Sequence, residues 1–484
     1  MNPALPPEEQ AGCERLPRRW YCFLFLFLLF VYGYVHQGFG GGTATTRVDL
    51  LFSLFVTGSV KIDAYHENTS DKCHFEGHYY SDKAPGTVAL AAPGFGMGFL
   101  ISELLTVSDK VRWLLCSWFA TVSSCGVFGA VAGVVLFMWL RTWVSNRHAF
   151  ITLLALCLGG PFFPYATILY SHTIVMALLV IALFLVGIRW RTPESRWRNM
   201  AEALAGFCCG LAIACEYSAG IAALAVPLMA RGFARWGLLR FLLSALLPMA
   251  MIPLYQYLCF GSPFALSYFS EVTFVRHLSG FVGIDFPPKW ENAYTMLFSA
   301  RRGLFYWTPF LLLAIVGMHS LLRLSARWFW FCYLVPLVQV TIMAGYWDVG
   351  AGLGLGARLL SPIVPFLAVP AALGLARFPR TGGVLAILSI LLTGLGTIVS
   401  AQVSAGIYDP VRGIHIPGLV HGVIAHNLGK CIGLSPHLSI ALLSLVSAGS
   451  ILVLWRGIES ASNQARVAAR PPPATANNLQ MGAA

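Results

Sequence analysis

Charged residues are scarce in this sequence of 484 residues. Asp, Glu, Lys and Arg together make up 11% of the chain, whereas 57% of its residues are hydrophobic and the mean hydropathy is +0.71. Ordinary soluble domains carry about 25% charged residues. This composition therefore excludes a water-soluble globular protein and indicates one that resides in a lipid bilayer.

The sequence also lacks a disulfide framework and a basic surface for nucleic acid. Most of the 12 cysteines lie in apolar stretches, where cysteine behaves as a small hydrophobic residue. The formal net charge is +12, but the basic residues alternate with apolar segments and do not gather on one polar face. We therefore expect no nucleic-acid partner.

About twelve apolar segments are long enough to cross a bilayer as helices. The predicted spans are residues 20–36, 113–140, 149–166, 172–188, 200–216, 217–230, 241–259, 304–322, 329–345, 359–375, 383–400 and 436–455. The predicted fold class is an all-α polytopic membrane protein. Residues 1–19 are predicted as a cytoplasmic N-terminus, 20–458 as the transmembrane domain, and 459–484 as a disordered cytoplasmic tail.

Basic residues are distributed unevenly between the two predicted sides of the membrane. With the N-terminus in the cytoplasm, the cytoplasmic segments hold 19 of the 32 basic residues, all of them arginines, and 6 of the 20 acidic residues. Short cytoplasmic loops of membrane proteins are enriched in basic residues, which supports this orientation. The lysines and most carboxylates therefore lie on the external side.

Three external segments are long, at residues 37–112, 260–303 and 401–435. The first is the most polar part of the chain. Its residues 48–55 have the apolar spacing of an amphipathic helix at a membrane interface. Residues 88–106 are apolar but rich in Gly and Pro, which favours a surface or re-entrant helix over a full span.

The first external segment also contains the side chains best suited to chemistry. Several carboxylates lie in the same segment as lysine and histidine, and they could supply a general base for an acceptor hydroxyl and a cation for a phosphate group. The alternative interpretation is a solvated loop whose charges simply face water.

No metal site follows from the spacing of cysteine and histidine. Cys73, His66, His74 and His78 match no standard zinc signature. We expect no required cofactor and assign no metal ligand. A divalent cation, Mg²⁺ or Ca²⁺, bound by the external carboxylates is an optional addition, because both ions prefer oxygen ligands.

The end of this segment resembles the first periplasmic loop of GT-C membrane glycosyltransferases. An acid shortly after the first span, followed by Gly77-x-Tyr-Tyr-x-Asp82-Lys83-x-Pro85, is similar to the motif of protein O-mannosyltransferases and lipid A aminoarabinose transferases. The resemblance implies a GT-C-like fold with amphipathic helices in the first external loop. It implies catalytic roles for Asp49 and Asp82, with Lys83 beside the latter and Asp63 as a third candidate.

Further motifs at predicted external helix ends resemble the bacterial branch of the same superfamily. They surround His172, Glu216, Arg302 and Arg358. Arg302 and Arg358 are predicted with Lys83 to bind a donor phosphate, because a guanidinium group can bind phosphate through two hydrogen bonds. The predicted substrate pocket contains His78, Tyr80, His172 and Glu216. Contacts with lipid headgroups remain the alternative for these ionisable residues.

The resemblance implies an integral-membrane glycosyltransferase of the cell envelope, similar to mannosyltransferases and located in a bacterial inner membrane. Sugar nucleotides are cytoplasmic, so an enzyme with external carboxylates needs a sugar on a polyprenyl-phosphate carrier. The acceptor is an external lipid, glycan or protein, and a single displacement predicts inversion at the anomeric carbon. The partners are thus the lipid-linked sugar, membrane lipids and the acceptor.

The alternative function is a multi-spanning transporter or a flippase for lipid-linked sugars. Such proteins also have about twelve helices, but they place polar residues at mid-membrane on broken helices. This chain concentrates its ionisable residues in one long external segment, which favours the enzyme.

The predicted orientation can be tested by cysteine labelling of intact cells. A cysteine at Ser70 should react with a membrane-impermeant thiol reagent from outside, and a cysteine at Ser195 only after permeabilisation. The reverse pattern would contradict both the orientation and the argument for a lipid-linked donor.

Overall fold

The computed structural model of the chain describes residues 16–38, 40–188, 195–229, 235–274, 280, 283–350, 352–404 and 406–468. Its helices are α1 Arg18–Tyr34, α2 Gly42–Val56, α3 Gly86–Leu104, α4 Asp109–Thr121, α5 Val127–Leu140, α6 Asn146–Cys157, α7 Phe162–Ala166, α8 His172–Ile188, α9 Ser195–Cys215, α10 Gly220–Met229, α11 Arg235–Met249, α12 Met251–Phe260, α13 Trp290–Phe298, α14 Leu304–Trp307, α15 Leu313–Leu324, α16 Ala326–Ala344, α17 Val364–Arg377, α18 Pro379–Val399, α19 Ile416–Val420, α20 Leu428–Cys431 and α21 Pro436–Ala468. The strands are β1 Val35–His36, β2 Lys72–Phe75, β3 His78–Ser81 and β4 His426–Asn427. They form two antiparallel pairs, β1 with β4 and β2 with β3.

Seven of the described helices are long and apolar enough to cross a membrane, judged by length and composition alone. Six coincide with predicted spans, namely Asp109–Leu140, Trp236–Phe260, Ala326–Ala344, Arg358–Arg377, Pro379–Val399 and Pro436–Asn463. The seventh is Gly86–Leu104, for which the sequence predicts a surface or re-entrant helix. Three shorter apolar helices, His172–Gly187, Tyr217–Met229 and Pro309–Leu324, match three further predicted spans. The prediction of an all-α polytopic membrane protein is confirmed.

The helical bundle has an inner and an outer layer. Helix α17 lies inside, because every residue from Val364 to Leu375 is buried. A helix that is apolar on all sides can be buried on all sides. Close packing depends on small residues: a Cβ atom at Gly317 of α15 or Gly374 of α17 would collide with the backbone of the other helix.

Two predicted boundaries differ from the structure. Span 149–166 is interrupted, because α6 ends at Cys157 and α7 begins only at Phe162. Pro161 lies in the interruption and offers no backbone N–H to a continuous helix. The predicted disordered tail begins at Glu459, but α21 continues to Ala468, because residues 459–468 contain several good helix formers and no Gly or Pro. Residues 1–15 and 469–484 lie outside the described residues.

The first external segment forms helix α2 and a β-hairpin. The apolar spacing of residues 48–55 correctly predicts a helix; residues Ala44–Ser53 are all buried, whereas Leu54 and Phe55 are exposed. The hairpin turns at Glu76 and Gly77, whose φ angles are 49° and 81°. Positive φ at both central residues is typical of a two-residue type I′ turn. Its register pairs Lys72 with Ser81.

The second external segment covers the end of this hairpin. The Val272 N–H donates to the Lys72 carbonyl at 3.2 Å, and the Ser267 hydroxyl donates to the Asp82 carbonyl at 2.9 Å. The Cys73 thiol donates to the Ser267 carbonyl at 3.1 Å. These contacts join the two segments and bury the residues that follow β3.

The third external segment is tied to the start of the first. The Gln37 amide donates to the Thr397 carbonyl at 2.8 Å, and its oxygen accepts from the Ala401 N–H at 2.8 Å. All three long segments therefore pack over the same ends of the spans.

Candidate active site

A buried lysine joins two carboxylates where the hairpin ends. The Lys83 ammonium lies 2.5 Å from Asp82 Oδ2 and 2.9 Å from Asp71 Oδ2. The Thr43 hydroxyl, in the first turn of α2, donates to Asp71 Oδ2 at 2.7 Å. A Cβ atom at Gly42 would collide with the Asp71 carboxylate. We call Asp71, Asp82 and Lys83 the charge cluster.

Burial and mutual attraction set the protonation of the charge cluster. Burial acts to lower the pKa of Lys83, but Asp71 and Asp82 outweigh it and hold that pKa well above its usual value. Burial raises the pKa of Asp82 to about 6, although Lys83 acts in the opposite direction. Burial also acts to raise the pKa of Asp71, but Lys83 and Thr43 keep it below its usual value. Lys83 therefore stays charged at neutral pH.

Asp82 retains binding capacity in this cluster. Its side chain is fully buried, and Oδ1 has no hydrogen-bond partner among the described residues. A buried polar atom without a partner is energetically costly and is often explained by a function.

Asp49 lies further along α2 and has separate partners. The Asn68 amide donates to Oδ1 at 3.2 Å, while Oδ2 is buried without a partner in the described part of the chain. Burial raises the pKa of Asp49 to about 7, against the opposing effects of Asn68 and Lys72. Asp49 is six residues from Thr43, which corresponds to about 9 Å of helix. A carboxylate with this pKa can accept a proton near neutral pH.

Arg358 brings a second cation to the charge cluster. Its guanidinium lies 5.6 Å from the centre of the Tyr170 ring, and its charge acts on Asp71. Among the described residues, the Leu353 carbonyl, 3.3 Å from Nη1, is its one hydrogen-bond partner. Tyr346 interacts electrostatically with both Lys83 and Arg358. Arg358 can therefore offer several N–H donors to a ligand.

Arg302 has partners other than the predicted phosphate. Its side chain is 1% exposed, and all five N–H groups donate to backbone carbonyls, at Gly350, Arg301, Gly354, Gly352 and Val403. The guanidinium therefore has no donor left for a phosphate in this structure. Sequence reasoning could not foresee this, because the carbonyls come from segments distant in the chain.

Glu216 and His172 lie at breaks or ends of helices, as predicted. Glu216 separates α9 from the 3₁₀ segment Tyr217–Ala219, and its Oε2 accepts from the Ser171 hydroxyl at 2.6 Å. His172 is 6% exposed; its Nδ1 lies 3.2 Å from the Ser361 hydroxyl. Ser171 directly precedes His172 in the chain, so Glu216 lies near the start of α8.

Asp63 precedes the hairpin and is bonded to it, whereas His78 and Tyr80 lie in strand β3; none of the three belongs to the charge cluster. Asp63 Oδ2 lies 2.8 Å from His78 Nδ1, with the two side chains 44% and 41% exposed. The Tyr79 N–H donates to Asp63 Oδ1 at 2.7 Å. Tyr80 is buried and its ring packs 5.5 Å from that of Phe260. These partners favour structural roles for all three residues.

Sequence reasoning missed Asp71. The signal was available in the Glu76-Gly77 turn, because a two-residue turn there pairs Lys72 with Ser81 and so places Asp71 opposite Asp82. Among the described residues, no group of three His, Cys, Asp or Glu side chains could hold a metal ion.

No family model matches the chain, and no curated protein matches it. Among solved structures, it is similar to ArnT from Cupriavidus metallidurans bound to undecaprenyl phosphate, with 16% identity over 92% of this chain and 76% of that one and a TM-score of 0.48. It is also similar to the archaeal oligosaccharyltransferase AglB from Archaeoglobus fulgidus, in complex with an inhibitory peptide and a dolichol-phosphate. That match has 13% identity over 93% of this chain and 56% of that one, with a TM-score of 0.43. Both likenesses concern the course of the chain and assign no residue, ligand or activity to this protein.

The raised pKa of Asp49 generates a prediction for stability. The carboxyl group has a pKa of about 7 in the folded state and 3.8 in the unfolded state, so the folded state binds the proton more tightly. This proton binding stabilises the folded protein at low pH, and the stabilisation is lost as pH rises from about 4 to 7. Asp49→Asn should therefore be at least as stable as the wild type at pH 8, measured by thermal unfolding in detergent. A variant much less stable than the wild type at pH 8 would contradict this assignment.

Proposed function

We propose that this protein is a membrane glycosyltransferase that transfers a sugar from a polyprenyl-phosphate donor to an acceptor hydroxyl on the external face. The observation that carries the proposal is the buried charge cluster beside Arg358, at the helix ends that the sequence places outside. Two cations at one buried position can bind a phosphate group strongly, because low polarity strengthens charge-assisted hydrogen bonds.

Lys83 and Arg358 bind the donor phosphate in this proposal. Lys83 is held by Asp71 and Asp82, and the charge of Arg358 also acts on Asp71. As the sugar leaves, negative charge builds on the phosphate oxygen, and preplaced cations stabilise that charge. Arg302 is omitted from this set, because its donors are already bound to carbonyls.

Asp49 is the proposed general base. The acceptor hydroxyl oxygen forms a bond to the anomeric carbon while the bond from that carbon to the phosphate oxygen breaks. The hydroxyl proton moves to Asp49, and the electron pair of the broken bond stays on the phosphate monoester. A carboxylate such as Asp82 can offset positive charge on the sugar in the transition state. A single displacement inverts the anomeric configuration.

The transporter or flippase alternative has less support from the described residues. Its usual feature is a polar site at mid-membrane on broken helices. Glu216 does stand at a helix break, but it contacts Ser171 beside His172, at the end where the charge cluster lies. The buried carboxylates Asp49, Asp71 and Asp82 precede α3 in the first external segment.

Undecaprenyl phosphate and dolichol-phosphate are both polyprenyl phosphates and suit this kind of site. Each is present in one of the two similar structures.

The direct test is transfer of radiolabelled sugar from polyprenyl-phosphate donors by protein reconstituted in liposomes. Asp49→Asn should lower kcat by about 10²–10⁴, which is the usual contribution of a general base. Wild-type kcat should fall as pH drops below about 7, because protonated Asp49 cannot accept a proton.

Asp63→Asn is the matched control, because it also removes a carboxylate charge from the first external segment. Asp63 is half-exposed and bonded within the hairpin, so this variant should retain most activity. If Asp63→Asn is inactive while Asp49→Asn is fully active, the assignment of the general base to Asp49 is wrong. Full activity in each of the three single variants Asp49→Asn, Asp63→Asn and Asp82→Asn would contradict glycosyl transfer by this site.

The charge cluster also predicts the response to chelators. The Lys83 ammonium already contacts both carboxylates of the charge cluster and supplies a positive charge there. We therefore expect EDTA to leave the transfer rate unchanged. Loss of activity in EDTA that Mg²⁺ or Ca²⁺ restores would show that the optional cation is required.

A further inference from the structure

Gly350 and the glycine-rich segment 352–356 are arranged around the buried Arg302 guanidinium. Nε donates to the Gly350 carbonyl at 2.6 Å, Nη1 to Gly354 at 2.6 Å and Nη2 to Gly352 at 2.8 Å. Nη2 also donates to Val403 at 2.9 Å, which ties the segment to the third external segment. Hydrogen bonds from a charged donor are stronger than neutral ones, so these contacts fix the backbone of the segment.

Two tyrosines fix the carbonyls that Arg302 leaves free. The Tyr165 hydroxyl donates to the Leu355 carbonyl at 2.7 Å, and the Tyr170 hydroxyl donates to the Leu353 carbonyl at 3.0 Å. The carbonyls of residues 352, 353, 354 and 355 are therefore all held by side chains of the interior.

The same backbone positions Arg358. The Leu353 carbonyl, bracketed by the two glycines that Arg302 binds, also accepts from Arg358 Nη1 at 3.3 Å. A Cβ atom at Gly354 would lie 3.3 Å from Arg358 Cδ, and one at Gly352 would lie 3.7 Å from Arg358 Nη2, so the segment passes close to the side chain at these two points. The Tyr170 ring beneath the guanidinium completes this support.

We infer that Arg302 is a positioning residue for Arg358: it binds no substrate, and it shapes segment 352–356 so that the Arg358 guanidinium is held ready for the donor phosphate. This inference rests on the proposed function, and it replaces the direct phosphate contact that the sequence predicts for Arg302. Preplaced groups bind with a smaller loss of conformational freedom, so the benefit falls on donor affinity.

Lysine cannot replace arginine in this role. A lysine ammonium has three donors at one point, whereas Arg302 uses five donors directed to separate carbonyls. Arg302→Lys keeps the positive charge, and so the charge balance of the region, but leaves at least two carbonyls without their donor.

The test is a double-mutant cycle on the reconstituted enzyme, measured as KM for the polyprenyl-phosphate-linked sugar and as kcat. Arg302→Lys and Arg358→Gln should each raise KM by about 10-fold or more, the effect of losing a charge-assisted hydrogen bond. If Arg302 acts through Arg358, Arg302→Lys should add no further increase in KM to Arg358→Gln. A residue with a merely structural role would instead give independent, multiplying effects.

Gly354→Ala provides a second variant that leaves the Arg302 guanidinium and its acceptors in the protein. Its new methyl group would lie 3.3 Å from Arg358 Cδ and 3.2 Å from the Tyr165 hydroxyl, and crowding of Arg358 should raise KM in the wild-type background and not in Arg358→Gln. Thermal unfolding and size-exclusion profiles show whether Arg302→Lys folds. If it does not fold, Gly354→Ala provides the test of the positioning role.

The outcomes separate this inference from the proposed function. If Arg358→Gln raises KM but the effects of Arg302→Lys and Gly354→Ala multiply with it, the positioning role is wrong and the phosphate role of Arg358 stands. If Arg358→Gln leaves KM unchanged, the phosphate site itself is wrong. If Arg302→Lys alone leaves KM unchanged, the positioning role is again contradicted.

Discussion

The ammonium group of Lys83, buried between Asp71 and Asp82, is the interaction on which the external part of this protein depends. Burying an unpaired charge costs several kcal/mol, so each member of the cluster requires the others. The backbone arrangement follows from that requirement. The hairpin brings Asp71 opposite Asp82, helix α2 supplies Thr43, and the Ser267 hydroxyl of the second external segment holds the Asp82 backbone.

Arg302 and Arg358 have contrasting environments. All N–H groups of Arg302 are hydrogen-bonded to carbonyls, so Arg302 supports the local backbone. Arg358 donates one long hydrogen bond, and its guanidinium lies over the Tyr170 ring. Counting the occupied donors of each guanidinium thus distinguishes an arginine that supports a site from one that is available to bind. The charge cluster and Arg358 meet around Asp71, which relates the first external segment to the segment before α17.

The sequence predicts the membrane fold and part of the site. Apolar stretches of about 20 residues report directly on spans, because the bilayer imposes their length. Asp82 and Lys83 could be found because they are adjacent in the chain and precede a helix with a recognisable motif. Asp71 depends on hairpin register, and the role of Arg302 depends on carbonyls about 50 and 100 residues away. Such long-range contacts leave no local pattern in the sequence.

The most direct test of the account is the affinity of purified protein in nanodiscs for undecaprenyl phosphate, compared between the wild type and Arg358→Gln by native mass spectrometry. The account predicts saturable binding by the wild type, with affinity for undecaprenyl phosphate lowered about 10-fold or more in the variant. Phosphatidylglycerol, which also carries a phosphate group, should bind both proteins equally. Equal affinity of the two proteins for undecaprenyl phosphate would contradict a phosphate site at the charge cluster.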